Sequence, residues 1–284
     1  MKNVNRSLWV WRRQIAEAQA EQWLEQLEWV GPQRVMVLAR PGSIRARLEV
    51  YGSHRREADR LLKEYGGRVR AVAKKELLPP APSRPIRANR ALYVVGDPKT
   101  AQSLRKKVPA ARILLIPASM AFGSGEHATT GMVLRYLGKS KKLVHDTTAL
   151  DLGTGSGILA LAARALGARR VVAMDNCPDC IRISRENEKS NFGDSTIRWH
   201  RAELGAFDPK AVFRLVTANL FSDLLIGQSA SIWKCLAPGG TLLLSGILHP
   251  QAAGVVRAYR AQGGKLICQQ RKGKWVLLAF ARKT

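Results

Sequence analysis

Three features of this 284-residue chain predict an α/β protein in which a doubly wound parallel sheet follows a smaller α+β unit. From Thr148 onward, short apolar runs alternate with amphipathic stretches of helical period, the pattern of a parallel sheet with helices on both faces. A glycine-rich turn, Asp151-Leu152-Gly153-Thr154-Gly155-Ser156-Gly157, stands between the first such run and the first such helix. Residues 1–75 follow a different element order. They are set apart by residues 77–90, where Pro79, Pro80, Pro82 and Pro85 read as a linker. The length suits about two domains of roughly 100–200 residues each.

In the first unit, Leu8–Arg12 has the composition of a strand. Ala16, Ala20, Trp23, Leu24 and Leu27 recur at helical spacing up to Gly31-Pro32. Arg34–Ala39 and Arg45–Val50 alternate as strands joined through Pro41-Gly42. Ala58, Leu61, Leu62 and Tyr65 mark a second helix closed by Gly66-Gly67, and Arg68–Ala73 is a last strand. The order βαββαβ is ferredoxin-like. That fold also serves as an RNA-recognition module, but the third strand, Ala46-Arg47-Leu48-Glu49-Val50, lacks the expected aromatics. A protein-docking or structural role is the favoured reading.

After the linker, Ala91–Val95 and Ile113–Ile116 are short strands leading to the loop Met120–Thr130, which opens a helix carrying Val133, Leu134 and Leu137. Thr129 or Thr130 can cap it. The alternating elements are then 149–152, 158–166, 170–174, 179–189, 196–199, 213–218, 224–236, 240–245 and 251–262. The chain closes with strands 265–270 and 274–280 around Arg271-Lys272-Gly273. A terminal hairpin on a parallel sheet marks methyltransferase-type Rossmann domains; ordinary dinucleotide folds do not need it.

Lys and Arg number 47 against 21 Asp and Glu, a formal net charge of +26, while 46% of residues are apolar. A core can form, which excludes a disordered basic tail. The excess is spread as +10 over residues 1–90, +6 over 91–146 and +10 over 147–284. Such a surface attracts acidic partners, nucleic acid or a ribonucleoprotein first. Compositional bias is the competing explanation, since Arg exceeds Lys by 30 to 17. No apolar run approaches the ~18–20 residues of a membrane span, and residues 1–14 lack a signal-peptide core. A cytoplasmic protein with no membrane partner is expected. Cys177 and Cys180 form a CxxC, but Cys235 and Cys268 stand alone. Without a second pair, free thiols and no metal are expected.

The glycine turn carries the chemistry. Glycines at alternate positions let the backbone turn off the strand and approach a ligand, and the helix N-terminus beyond offers amide donors. Dinucleotide sites space their glycines GxGxxG to admit a pyrophosphate. The spacing here, DxGxGxG, suits S-adenosylmethionine, with Gly153 and Gly155 against the cofactor. A side chain at Gly153 is expected to occupy the cofactor's space. Asp175, 22 residues past Gly153 at the end of the next strand, can accept the ribose hydroxyl hydrogens. Glu203 is either a contact near the adenine edge or a solvated residue. Asn219, in Val216-Thr217-Ala218-Asn219-Leu220-Phe221, ends the fourth strand at the carboxyl edge where such folds place their reaction centre. Methyl transfer is an in-line displacement at an activated carbon, so the protein mainly aligns an unprotonated nucleophile. A lysine amine has a pKa near ~10.4, lowered by desolvation, and the Asn219 carbonyl can accept one of its N–H groups. The competing reading of Asn219 is a turn residue.

The loop Ala121–Thr130, the stretch Leu150–Ala162, the segment Ala218–Leu225, and Ser245-Gly246-Ile247-Leu248 with Gln251 and Trp275 resemble the ribosomal protein L-eleven methyltransferase family, PrmA, over roughly residues 113–284. The AFGxGxHxTT loop is not general to methyltransferases. The resemblance implies a class I S-adenosylmethionine-dependent methyltransferase Rossmann-like domain at 113–284, a Pro-rich linker and connecting segment at 76–112, and a ferredoxin-like substrate-recognition domain at 1–75. It implies S-adenosylmethionine as cofactor and, as substrate, the lysine and N-terminal amines of a large-subunit ribosomal protein. The family's cofactor contacts fall on Thr130, Gly153 and Asp175, and its motif Asn on Asn219. Phe122 and His127 lie in the loop that would cover the cofactor. The chain departs from the family at Cys177-Pro178, where a second acidic residue and Pro usually follow the ribose Asp, and at Arg214, where an Asp usually starts the fourth strand. Two alternatives stand: a methyltransferase of RNA or another substrate, and a noncatalytic ribosome- or RNA-binding protein retaining the cofactor fold. The basic surface makes ribosomal RNA an expected electrostatic contact.

Overall fold

Residues 8–30, 34–39, 44–52, 54–72, 85–117, 128–139, 141–208 and 211–284 are described by the computed structural model. The chain divides into two units, Met1–Leu78 and Pro79–Thr284. The first is built from β1 (Leu8–Ala16), α1 (Ala20–Gln26), β2 (Val35–Ala39), β3 (Arg45–Gly52), α2 (Arg55–Tyr65) and β4 (Arg68–Val72). The strands lie in the order β2-β3-β1-β4 with every neighbouring pair antiparallel. Trp11 and Ile15 of β1 and Ala46, Leu48 and Val50 of β3 pack with Leu27, Val30 and Leu61. The Trp11 indole donates to the Gly66 carbonyl at 2.6 Å. Gly67 has φ +91°, and a Cβ there would collide with the Arg12 carbonyl oxygen, so the α2–β4 turn needs glycine.

Strand β1 runs four residues beyond the expected Arg12, because Ile15 joins Trp11 on the packed face. Helix α1 consequently starts at Ala20, after a 3₁₀ turn at Glu17–Gln19. The expected turns at Gly31-Pro32 and Pro41-Gly42, and the strand end at Ala73, lie outside the described residues.

The second unit opens with β5 (Ile86–Arg87), β6 (Leu92–Val95), α3 (Pro98–Lys107) and β7 (Arg112–Leu115). These strands form a small sheet, antiparallel between β5 and β6 and parallel between β6 and β7. The expected strands at 91–95 and 113–116 correspond to β6 and β7, whereas β5 and α3 fall in what was expected as linker and connecting segment. The signals for α3 are present: the Asp97 side chain caps it by accepting from the Thr100 amide at 2.8 Å, and Pro98 sits in its first turn.

The main sheet follows. Its elements are α4 (Ala128–Lys139), α5 (Lys141–Val144), β8 (Thr148–Leu152), α6 (Ile158–Ala165), β9 (Arg170–Asp175), α7 (Pro178–Phe192), β10 (Arg198–Arg201), β11 (Phe213–Asn219), α8 (Ser222–Gly227), α9 (Ser229–Lys234), β12 (Leu236–Leu248), α10 (Ala252–Ala261), β13 (Lys265–Lys272) and β14 (Trp275–Ala281). The order is β10-β9-β8-β11-β12-β14-β13. Strands β8 to β12 run parallel, and β14 is antiparallel to both β12 and β13. The stretch expected as one helix over 224–236 is two short helices broken at Gln228.

Alternation within each strand feeds two cores. Val171 and Ala173 point into the core containing Leu134, Leu161 and Ile181; Val172 and Met174 point into the one containing Leu225, Trp233 and Tyr259. Both faces are covered, which is why these strands are almost continuously apolar. Strand order reverses between β8 and β11, and the crevice at such a reversal, beyond the carboxyl ends of the strands, is where open α/β sheets bind ligands. Among the described residues, no helix is long and apolar enough to cross a membrane.

Candidate active site

Two strand ends meet at the reversal. The glycine turn leaves β8 with φ +68° at Gly153 and +57° at Gly155, backbone geometry that L side chains rarely adopt. The amides of Gly153 and Thr154 both donate to the Met174 carbonyl at 3.0 Å, fastening the turn to β9. At the end of β9, Asp175 Oδ2 accepts from the Gly155 amide at 2.9 Å and Oδ1 from the Cys177 amide at 3.0 Å. Each oxygen keeps a further lone pair. The Asp175 carboxylate therefore does two jobs: it braces the turn and still offers two acceptor positions, which fits the paired hydroxyls of a ribose.

A second carboxylate ties the turn to the next strand. Asp151, fully buried, accepts from the Thr154 hydroxyl and the Thr217 hydroxyl, each at 2.6 Å. Burial pushes its carboxyl up to about 6, against the opposing effect of these hydrogen bonds. The sequence reading treats Asp151 only as the first letter of the motif, although Thr three residues later was a visible cue.

At the end of β11, Ala218 pairs with Leu152 and Asn219 with Ser245. The Asn219 Nδ2 donates to Thr130 Oγ1 at 3.2 Å, and the Ser245 hydroxyl to the Thr129 carbonyl at 3.4 Å. The N-terminal turn of α4 is thereby held against β11 and β12. Asn219 Oδ1 is buried without a hydrogen-bond partner among the described residues, and so is Ser222 Oγ. An unpaired buried acceptor costs about 1–3 kcal/mol, so this carbonyl is a group awaiting a donor.

Leu220 fixes the geometry beside it. A Cβ at Gly153 would run into Leu220 Cδ2, and one at Gly246, where φ is +85°, would run into the Leu220 carbonyl oxygen. The space that the sequence reading assigns to the cofactor at the Gly153 Cβ position is thus filled by Leu220. Gly153 is required for close packing between the turn and the β11 end. Phe221, next in the chain, is 78% exposed.

The structure brings Gly153, Gly155 and Asp175 together, and joins Thr130 to Asn219. Phe122 and His127 lie outside the described residues. Glu203 lies beside the segment after Asp175, accepting from Asn176 Nδ2 at 3.2 Å. Burial and the Asp175 charge push the Cys180 thiol up. At the two departures from the family pattern, Cys177 precedes α7 with Pro178 in its first turn, and the Arg214 amide donates to Thr148 Oγ1 at 3.2 Å, at the opposite end of β11 from Asn219.

The family described as Ribosomal protein L11 methyltransferase (PrmA) matches residues 82–283. A protein of that name from Chloroflexus aurantiacus is 36% identical over 194 residues, covering 60% of this chain and 58% of the relative. One from Chelativorans sp. is 34% identical over 200 residues, covering 69% of this chain and 67% of the relative. The chain thus matches a little under three fifths of the Chloroflexus protein's length. Among solved structures, a ribosomal protein L11 methylase from Lactobacillus delbrueckii subsp. bulgaricus aligns with a TM-score of 0.62 at 29% identity, covering 71% of this chain and all of that one. The second unit is accordingly a class I Rossmann-like methyltransferase domain.

Proposed function

The chain belongs to the ribosomal protein L11 methyltransferase family, and from that premise we propose that it transfers methyl groups from S-adenosylmethionine to amino groups, on lysine side chains or the N-terminus, of a large-subunit ribosomal protein. The observation that carries this reading is the buried, unpaired Asn219 Oδ1 at the strand end next to the glycine turn.

When bound, S-adenosylmethionine supplies a methyl group already activated on a sulfonium. Gly153, Gly155 and Asp175 would hold it: the positive-φ turn lets the backbone approach, and the spare acceptor positions of Asp175 match the ribose hydroxyls. Asn219 Oδ1 would accept an N–H of the incoming amine. That bond turns the nitrogen lone pair toward the methyl group and is available only from a properly seated acceptor. The Nδ2–Thr130 bond keeps the amide from rotating its NH₂ into the acceptor position. An ammonium group has no lone pair to attack with, so the amine must arrive neutral. Desolvation at the buried carbonyl favours that form.

Residues 1–75 would form a ferredoxin-like substrate-recognition domain. The antiparallel order β2-β3-β1-β4 with two helices supports that assignment. The distributed positive charge supports an added electrostatic contact with ribosomal RNA. The test is incubation of the full chain with methyl-labelled S-adenosylmethionine and total ribosomal protein, followed by mass spectrometry. Label on lysine or N-terminal amines of one large-subunit protein is expected. Label confined to RNA, or none on any macromolecule, overturns the reading.

A further inference from the structure

Methyl transfer makes no use of the CxxC motif, yet the motif has a defined place beside the cofactor cradle. Cys177 is the N-cap of α7, and Cys180 is the third residue of that helix. Serine, threonine, aspartate or asparagine would satisfy such a cap, whereas the Cys177 side chain makes no bond to the helix backbone. Its thiol is instead in hydrogen-bonding contact with the thiol of Cys180. Both residues are partly exposed, and neither is in a disulfide. Capping therefore gives no reason for a sulfur at position 177.

Helix geometry explains the contact between the two thiols. Inside a helix, residues three apart hold their Cβ atoms roughly 5–6 Å apart, wider than the roughly 3.5–4.5 Å that a disulfide spans. Cys177 is outside the helical conformation, with φ −77° and ψ 118°. From extended backbone an N-cap side chain folds back over the first turn, toward the third helical residue. The remaining thiols are placed elsewhere: Cys235 is buried after α9 and donates to the Ser231 carbonyl at 3.4 Å, and Cys268 lies within β13.

We propose that Cys177 and Cys180 form a reversible modification site, oxidised by small-molecule disulfides to an intramolecular disulfide that loosens the cofactor cradle at Asp175. Burial and the Asp175 charge raise the Cys180 thiol, so Cys177 attacks first. Its sulfur, having lost its proton to solvent, bonds to one sulfur of the small disulfide, and the other sulfur leaves and takes up a proton as the first small thiol. Cys180 Sγ then attacks Cys177 Sγ, and its proton passes to the second small thiol as that departs. In total the protein gives up two electrons and two protons, and the small disulfide becomes two thiols.

The link to the cofactor cradle is the Cys177 amide, which donates to Asp175 Oδ1 at 3.0 Å. Drawing the two sulfurs from contact to about 2.05 Å pulls the N-cap toward the helix and that amide away from Oδ1. The carboxylate then keeps only its bond from the Gly155 amide to Oδ2, and its spare acceptor positions lose their alignment. This coupling rests on the reading of Asp175 as the ribose acceptor; formation of the disulfide does not.

The test equilibrates the native full chain with a series of glutathione disulfide to glutathione ratios and quenches with acid. Mass spectrometry then reads the tryptic peptide Val171–Arg182, which carries both cysteines. In the parent this peptide should become two hydrogens lighter, reversibly with dithiothreitol, and C235S/C268S should behave alike. C180S should stop at a glutathione adduct on Cys177. Calorimetry compares S-adenosylmethionine binding by the reduced and oxidised chains. The oxidised chain should bind roughly 10–100-fold more weakly, the equivalent of one hydrogen bond to a charged group. C177S/C180S should show the same affinity before and after the oxidant. A native chain in which Cys177 and Cys180 stay reduced, or carry only glutathione adducts, overturns the dithiol. A disulfide that leaves affinity equal in the two states overturns the coupling to the cradle. Failure of the reduced chain to bind S-adenosylmethionine would overturn the proposed function and the coupling with it, while the mass measurement decides the dithiol on its own.

Discussion

Truncating Asn219 to alanine separates a catalytic role from a structural one, because the first predicts a loss of rate at nearly unchanged stability and the second a loss of stability at unchanged rate. In the parent protein, Asn219 Oδ1 is buried and unpaired among the described residues, a cost of about 1–3 kcal/mol that alanine removes. Alanine also loses the Nδ2–Thr130 hydrogen bond, worth about 0.5–1.5 kcal/mol, together with some packing. The opposing contributions are of similar size, so N219A should unfold within about 1 kcal/mol of the parent. Transfer should suffer far more. Removing one oriented hydrogen bond at a reacting centre costs about 10²–10³ in kcat, while binding of S-adenosylmethionine should be little changed. The assay pairs urea unfolding and cofactor calorimetry with single-turnover methylation of the ribosomal protein. A variant that is destabilised by several kcal/mol and retains its kcat would show that Asn219 is a strand-end brace, and the acceptor role would be lost.

Three further variants probe packing and buried carboxylates in the second unit. G246A forces a side chain into a backbone at φ +85° and against the Leu220 carbonyl. It should cost more than the roughly 1–2 kcal/mol of left-handed strain alone and lower kcat more than cofactor affinity; unaltered unfolding and kcat would refute the packing argument. D151N tests the buried carboxyl that moves from 3.8 to about 6 on folding. A raised folded value means its stabilising contribution is complete below about pH 4 and is lost as pH rises through about 6. Relative to the parent, D151N should therefore gain up to about 3 kcal/mol between those limits, and a pH-independent difference in urea midpoints would count against it. E188A removes a fully buried carboxylate that accepts from the Thr196 and Ile197 amides, the Trp199 indole and Arg164. It should lose about 3–5 kcal/mol, read as a lowered denaturant midpoint, with E188Q losing less.

The main sheet was legible in the sequence because each parallel strand is buried on both faces and reads as an apolar run, while each helix repeats at 3.6 residues. The sheet and helix at residues 86–115 were harder to see for a local reason. The apolar runs at 91–95 and 113–116 could be read as β6 and β7, whereas β5 has two residues, too few for periodicity to register. The Asp97-Pro98 cap signal was present but stood beside a proline-rich stretch that argued for a linker. At β1 the difficulty was different. Ala16 and Ala20 fit a helical spacing, and only the packing of Ile15 with Trp11 decides that the chain remains extended to Ala16.

The site divides along the same line between local and long-range information. Gly153, Gly155 and Asp175 could be read because a tight turn off a strand and a carboxylate at the next strand end are features of adjacent elements. The roles of Leu220 and Gly246 exist only across strands, and Asp151, beyond its local bond with Thr154, acts across them as well. Thr217, which donates to Asp151, is 66 residues away in the chain, and the glycines that confine Leu220 come from the turn after β8 and from β12, the strands on either side of β11. These cross-strand groups determine how the two halves of the site relate. Asp151 links the glycine turn to β11 through Thr154 and Thr217, and Asp175 links the same turn to β9. The proposed cofactor cradle and the Asn219 acceptor therefore belong to one hydrogen-bonded frame, in which Leu220 is the packing contact. A change at Gly153 should accordingly disturb acceptor alignment as well as cofactor affinity. The corresponding observation is a fall in kcat that persists when S-adenosylmethionine is saturating; a Gly153→Ala variant fully rescued by excess cofactor would show that the two halves are independent.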